Sequence, residues 1–130
     1  MIFLICMFML TFCSGFCEGV MDKLQFHYHK SIFVNFPNTL FWNPADSWKN
    51  KYKNGNPVNG EKFLFSTSFL VSLTDGWHLF KLIRTFLLFI SLVFIGYLGD
   101  DLSSLIMYLI IARTLYGIGF YVSYNKLLKK

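Results

Sequence analysis

A carboxylate and an imidazole stand three residues apart, Asp75 and His78, in the string Thr74-Asp75-Gly76-Trp77-His78 just ahead of a long apolar run. That spacing puts both side chains on one face of a helix, where an acid can orient an imidazole for proton transfer. Glu18 and Asp22 follow i, i+4 spacing at the end of the first apolar run. A continued helix adds Gln25 and His29 to their stripe and turns His27 away, whereas an extended Phe26–His29 puts both histidines on one face. Glu, Asp and His are hard or borderline ligands for zinc, iron or manganese. Glu18, Asp22, His27, His29, Asp75 and His78 are therefore the candidate ligands of a divalent metal ion, and Glu18, Asp22, Asp75 and His78 the candidate catalytic groups. The competing expectation is an amphipathic helix lying on the headgroups with its charged stripe in water. Lys49, Lys51 and Arg84, with Trp48, are the candidate holders of an anionic substrate or lipid headgroup. No HExxH, GxSxG or phosphate-loop motif is present.

The elements that must carry these groups are set by composition. Hydrophobic residues make up 55 % of the 130 and charged residues only 15 %, against about 25 % in a soluble domain. Sixteen phenylalanines and seven tyrosines exceed what a small soluble core encloses, so lipid is the expected solvent. The net charge of +5 is spread along the chain beside apolar runs, a pattern that points to topology and anionic lipid rather than nucleic acid. Cys6, Cys13 and Cys17 all fall in the first apolar run without a CxxC pair, which indicates neither a disulfide framework nor a zinc site.

These features predict an all-α membrane protein of about three transmembrane helices. Residues 1–30 hold the first span with its acidic and histidine-bearing extension, and the missing basic n-region favours an uncleaved anchor over a signal peptide. Residues 31–62 form an interfacial connector rich in Trp and Lys, in which Asp46 is expected to cap a short helix opening at Ser47. Residues 63–98 read as a long helix with Ser68, Ser72, Asp75 and His78 on one face. Its membrane part starts near His78, with Lys81 and Arg84 snorkelling to an interface. Gly99-Asp100-Asp101 is a polar turn, and residues 102–130 hold a third span broken by Arg113, plus a basic tail. The lysines of the connector and tail predict a multi-pass inner-membrane protein with its N-terminus out and its C-terminus in. Glu18, Asp22, Asp75 and His78 are then expected to share one half-buried pocket at the inner leaflet, where pairing offsets the cost of burial.

Phe26-His27-Tyr28 after Glu18 and Asp22, Phe41-Trp42-Asn43-Pro44, Ser47-Trp48-Lys49-Asn50-Lys51-Tyr52 and Thr74-Asp75-Gly76-Trp77-His78-Leu79 together resemble a family of small uncharacterised bacterial membrane proteins. The resemblance covers most of residues 15–81. It implies no activity, but it implies that the acidic and histidine residues and the Trp/Lys connector belong to one unit.

Two functions from different classes remain open. One is a small metal-dependent or acid–base membrane enzyme acting at the headgroup level. The other is a non-catalytic membrane subunit or adaptor, whose polar residues pair helices and whose connector docks a membrane protein partner, a second copy or anionic lipid. A transport role through Arg113 and Asp75 requires an oligomer.

Overall fold

The computed structural model describes all 130 residues and has no strands. Three helices are long and apolar enough to cross a membrane: α1 (Ile2–His27), α4 (Gly76–Leu98) and α5 (Leu102–Tyr121). Two one-turn helices, α2 (Thr39–Trp42) and α3 (Pro44–Ser47), lie in the connector. The protein is thus an all-α, multi-pass membrane protein.

Helix α1 is the central one, because its small residues let the others close on it. A Cβ on Gly15 would collide with the Tyr116 carbonyl, and one on Gly119 with the Phe12 carbonyl. Without them the α1 and α5 backbones come into direct contact, the way apolar helices pack when lipid supplies no hydrophobic drive. On the other side, Thr11 and Ser91 share a hydrogen bond of 2.6 Å between α1 and α4. Met7, Ile95 and Ala112, one from each helix, form the buried core at the α4–α5 loop end. That loop is fixed by Asp101, whose side chain accepts from the Ser104 N–H while the Ser104 hydroxyl accepts from the Asp101 N–H. Such a reciprocal cap satisfies donors left open at a helix start.

At the opposite end the connector folds back on the bundle. Trp42 stacks on Phe33 at 5.0 Å and meets Phe36 edge-on, and both pack over Val20, Leu24, Tyr28 and Leu128. The C-terminal tail closes the same layer through the Ile32 N–H to the Leu128 carbonyl and the Lys130 N–H to the Lys30 carbonyl. Connector and tail therefore occupy one end of the bundle.

The structure corrects four local expectations. Helix α1 stops at His27 and gives way to a 3₁₀ turn over Tyr28–Lys30, so His29 does not extend the Glu18–Asp22 stripe. Residues 63–75 are turns with one 3₁₀ turn over Val71–Leu73, not α-helix. Helix α4 opens at Gly76 because the Asp75 side chain accepts from the His78 N–H, a cap that competes with continuing the helix upstream. Asn43, not Asp46, caps α3 by accepting from the Ala45 N–H. Arg84 does not snorkel to an interface but is bonded to Glu18 inside the bundle.

Candidate functional site

The site is built on the start of α4. Asp75 sits in extended backbone as the N-cap, so its carboxylate turns over the first helical turn and meets His78 at i+3. One oxygen accepts the His78 backbone N–H at 2.9 Å, and the imidazole Nδ1 lies 2.7 Å from the other. A carboxylate only accepts, so the shared proton resides on Nδ1, and Nε2 is the ring nitrogen turned away from Asp75. The Asp75 side chain is only 4 % exposed and that of His78 29 %. The acid is buried behind the ring, and the ring reaches the surface.

The connector supplies the rest. Asn50 donates to the Thr74 carbonyl at 2.6 Å, and Lys62 donates to the Asn50 side-chain oxygen at 2.6 Å. The Ser66 hydroxyl donates to the Lys51 carbonyl at 2.7 Å. These bonds fasten Trp48–Lys51 against the start of α4, so that the Lys51 ammonium stands 4.0 Å from the Asp75 carboxylate. Gly76 makes room underneath: a Cβ there would meet the Trp42 indole at 2.8 Å. The result is an open cleft of about 270 Å³ lined by Gln25, Ser47, Trp48, Lys51, Asp75 and His78, among others. It joins the Asp75–His78 pair, a cation and an exposed indole at the end of the bundle where apolar helix gives way to polar connector.

The remaining candidates lie elsewhere. Glu18 bonds Arg84 between α1 and α4, eight residues past Gly76 and so about 12 Å from the start of α4 at 1.5 Å per residue. Asp22 lines a second cleft with Glu18, Arg113 and Tyr116. His27 pairs through Nδ1 with the Tyr124 hydroxyl at 2.7 Å, and His29 stands edge-on to the Tyr28 ring. Lys49 is taken by Asp46 at 2.7 Å. The expected single pocket of Glu18, Asp22, Asp75 and His78 is therefore corrected: the groups separate into two sites. No three His, Cys, Asp or Glu side chains converge on a point that could hold a metal ion, so the six candidate ligands do not make one ligand set. Their dispersal is axial: α1 and α4 run antiparallel, Glu18 meets Arg84 well inside the bundle, and Gln25, seven residues further along the same stripe, is the α1 residue that reaches the Asp75–His78 cleft.

Two participants escaped the sequence reading. Asn50, the hinge of the connector's attachment, carries no signal in isolation. The capping role of Asp75 had one, since Thr-Asp-Gly ahead of an apolar run marks a helix start. No protein-family model, no curated protein and no solved structure matches this chain.

Proposed function

We propose that the protein is a small membrane enzyme of the acid–base kind, working at the headgroup level on an ester of an anionic lipid. His78 acts as the general base through Nε2, Asp75 holds its tautomer and balances the imidazolium that forms, and Lys51 beside Trp48 orients the anionic group. The carrying observation is the Asp75–His78 pair, with the acid buried and the ring facing a cleft that also holds a lysine. Water or a substrate hydroxyl is the group deprotonated. The metal-dependent form of this reading has no ligand set behind it.

The lysine-rich connector and tail lie at one end, which supports an orientation with that end in the cytoplasm, the N-terminus outside and the inner membrane as the location. The test is headgroup release from vesicles of phosphatidylglycerol and phosphatidylserine, both anionic, by the purified full chain. Turnover that falls about 10²–10⁴-fold in His78→Ala, and whose KM rises in Lys51→Ala, supports the reading. Turnover indifferent to His78→Ala, or none with either lipid, overturns it.

A second reading, a non-catalytic membrane subunit, has its own observation. The loop ahead of α4 exposes Leu64, Phe65 and Phe69, the last at 84 %, and an apolar strip of this kind suits a protein partner or a second copy.

A further inference from the structure

The second cleft lies between α1 and α5, away from the Asp75–His78 site, and its charges are unevenly satisfied. Glu18 is neutralised by Arg84. Asp22 and Arg113 line the same cleft of about 280 Å³, yet neither takes part in any of the chain's four ion pairs. The Arg113 side chain runs toward the connector end, its Nη1 lying 3.5 Å from where a Gly117 Cβ would stand, and its guanidinium reaches the Tyr116 ring at 5.9 Å. It thus heads toward the headgroup side, as a long basic side chain does in a bilayer, and toward the end at which Asp22 sits. Neither has an ion-pair partner within the protein: Asp22 is half-buried near the end of α1, and Arg113, midway along its span, is exposed with the Tyr116 ring beside it, whereas a charge within a span calls for an opposite one.

Arg113 and Tyr116 also line a neighbouring groove of about 370 Å³ between α4 and α5, floored by Thr11 and walled by Leu92, Ile95 and Leu109. A polar cleft holding one anion and one cation outside any ion pair therefore adjoins, across the shared Arg113 and Tyr116, an apolar groove that continues toward the α4–α5 loop. An amphiphile matches that sequence of surfaces: a phosphate for Arg113, an ammonium for Asp22 and an acyl chain for the groove.

We infer that the α1–α5 cleft and the adjoining groove bind a zwitterionic, amine-bearing phospholipid of the phosphatidylethanolamine type. The phosphate pairs with Arg113, the amine with Asp22, and one chain lies between α4 and α5. Phosphatidylglycerol offers the phosphate and the chain but leaves Asp22 unpaired, so the site discriminates by the amine.

The test is native mass spectrometry of the full chain in detergent, titrated with dioleoyl phosphatidylethanolamine and dioleoyl phosphatidylglycerol. Loss of one charge-assisted contact corresponds to about tenfold in affinity, so the wild type should favour the ethanolamine lipid by about that factor. Asp22→Asn should abolish the preference, and Arg113→Gln should weaken both lipids. Leu109→Trp, which fills the groove and leaves the charges in place, should also expel both, and it reads the same site if a charge variant fails to fold. Equal binding of the two lipids by the wild type overturns the inference. So does retention unchanged by Leu109→Trp, or a dimer signal that Arg113→Gln abolishes, which would make a second copy the occupant. Headgroup release from vesicles reports on the Asp75–His78 cleft and not on Asp22, Arg113 or Leu109, so the two proposals fail separately.

Discussion

Arg84 on α4 donates to the Glu18 carboxylate on α1, across 66 residues of chain, and this is the one ion pair between membrane-spanning helices. Each side chain is 25 % exposed, and Arg84 Nε is buried without a partner. Removing either charge strands the other in an apolar bundle, which costs several kcal/mol in a fully buried pair and less at this exposure. Glu18→Gln and Arg84→Gln should each destabilise by ~1–3 kcal/mol, and the double variant by less than their sum. Thermal unfolding of the three variants in one detergent measures this, and strict additivity would refute the pairing.

Gly15 and Gly119 let α1 and α5 touch backbone to backbone, whereas a Cβ at Gly96 would meet nothing within 4 Å. Backbone cannot step aside as a side chain can, so Gly15→Ala and Gly119→Ala should each cost ~2 kcal/mol or more through overpacking. Gly96→Ala should be neutral or stabilising by up to about 1 kcal/mol, from helix propensity. Melting temperatures of the three alanine variants separate the cases.

Asp75 has two tasks, capping α4 and holding the His78 ring. Asparagine keeps an oxygen for the backbone N–H but loses the charge that fixes the imidazole tautomer. Asp75→Asn should therefore keep most of the stability and lose most of the turnover, while Asp75→Ala should lose ~1 kcal/mol more stability as well. Paired unfolding and headgroup-release measurements resolve the two roles. An active Asp75→Asn would leave Asp75 as a cap alone.

The three spans were legible because length and apolarity are properties of contiguous chain, and Asp75–His78 was legible because i, i+3 spacing survives any packing. Whether Glu18 met His78 or Arg84 was not, since that depends on how far α1 and α4 overlap along their axes, and it is Gln25, two turns beyond Glu18, that lies level with the start of α4. The start of α4 was misplaced for a different reason: the hydrophobic residues from Phe63 to Leu73 read as helix, but Glu61 and Asp75 hold the backbone at both ends of that segment in turns. Lys51 was named beside Lys49, and what separates them is tertiary: the Asn50–Thr74 and Ser66–Lys51 bonds bring Lys51 to Asp75, while Asp46 holds Lys49.

Glu61 makes the loop before α4 sensitive to acid. Its carboxylate accepts from the Thr67 hydroxyl and from the backbone N–H groups of Phe65 and Thr67. These bonds, the Thr67 hydroxyl foremost, hold its pKa below the ordinary 4.5. A depressed carboxylate contributes stability that is present in full above its ordinary value and is lost as pH falls through the lower, folded one. Acidification below about pH 4.5 should therefore loosen residues 61–67 first, with faster amide exchange at Phe65 and Thr67 once intrinsic exchange rates are divided out. Glu61→Gln should show that looseness already at neutral pH and should lose the acid dependence. The same segment carries Ser66, which bonds the Lys51 carbonyl, so opening it frees the strap that holds Lys51 beside Asp75. Glu61→Gln should therefore raise KM for the anionic lipid at neutral pH through the loosened Lys51, and a KM equal to that of the wild type would show that the strap does not hold the lysine in place.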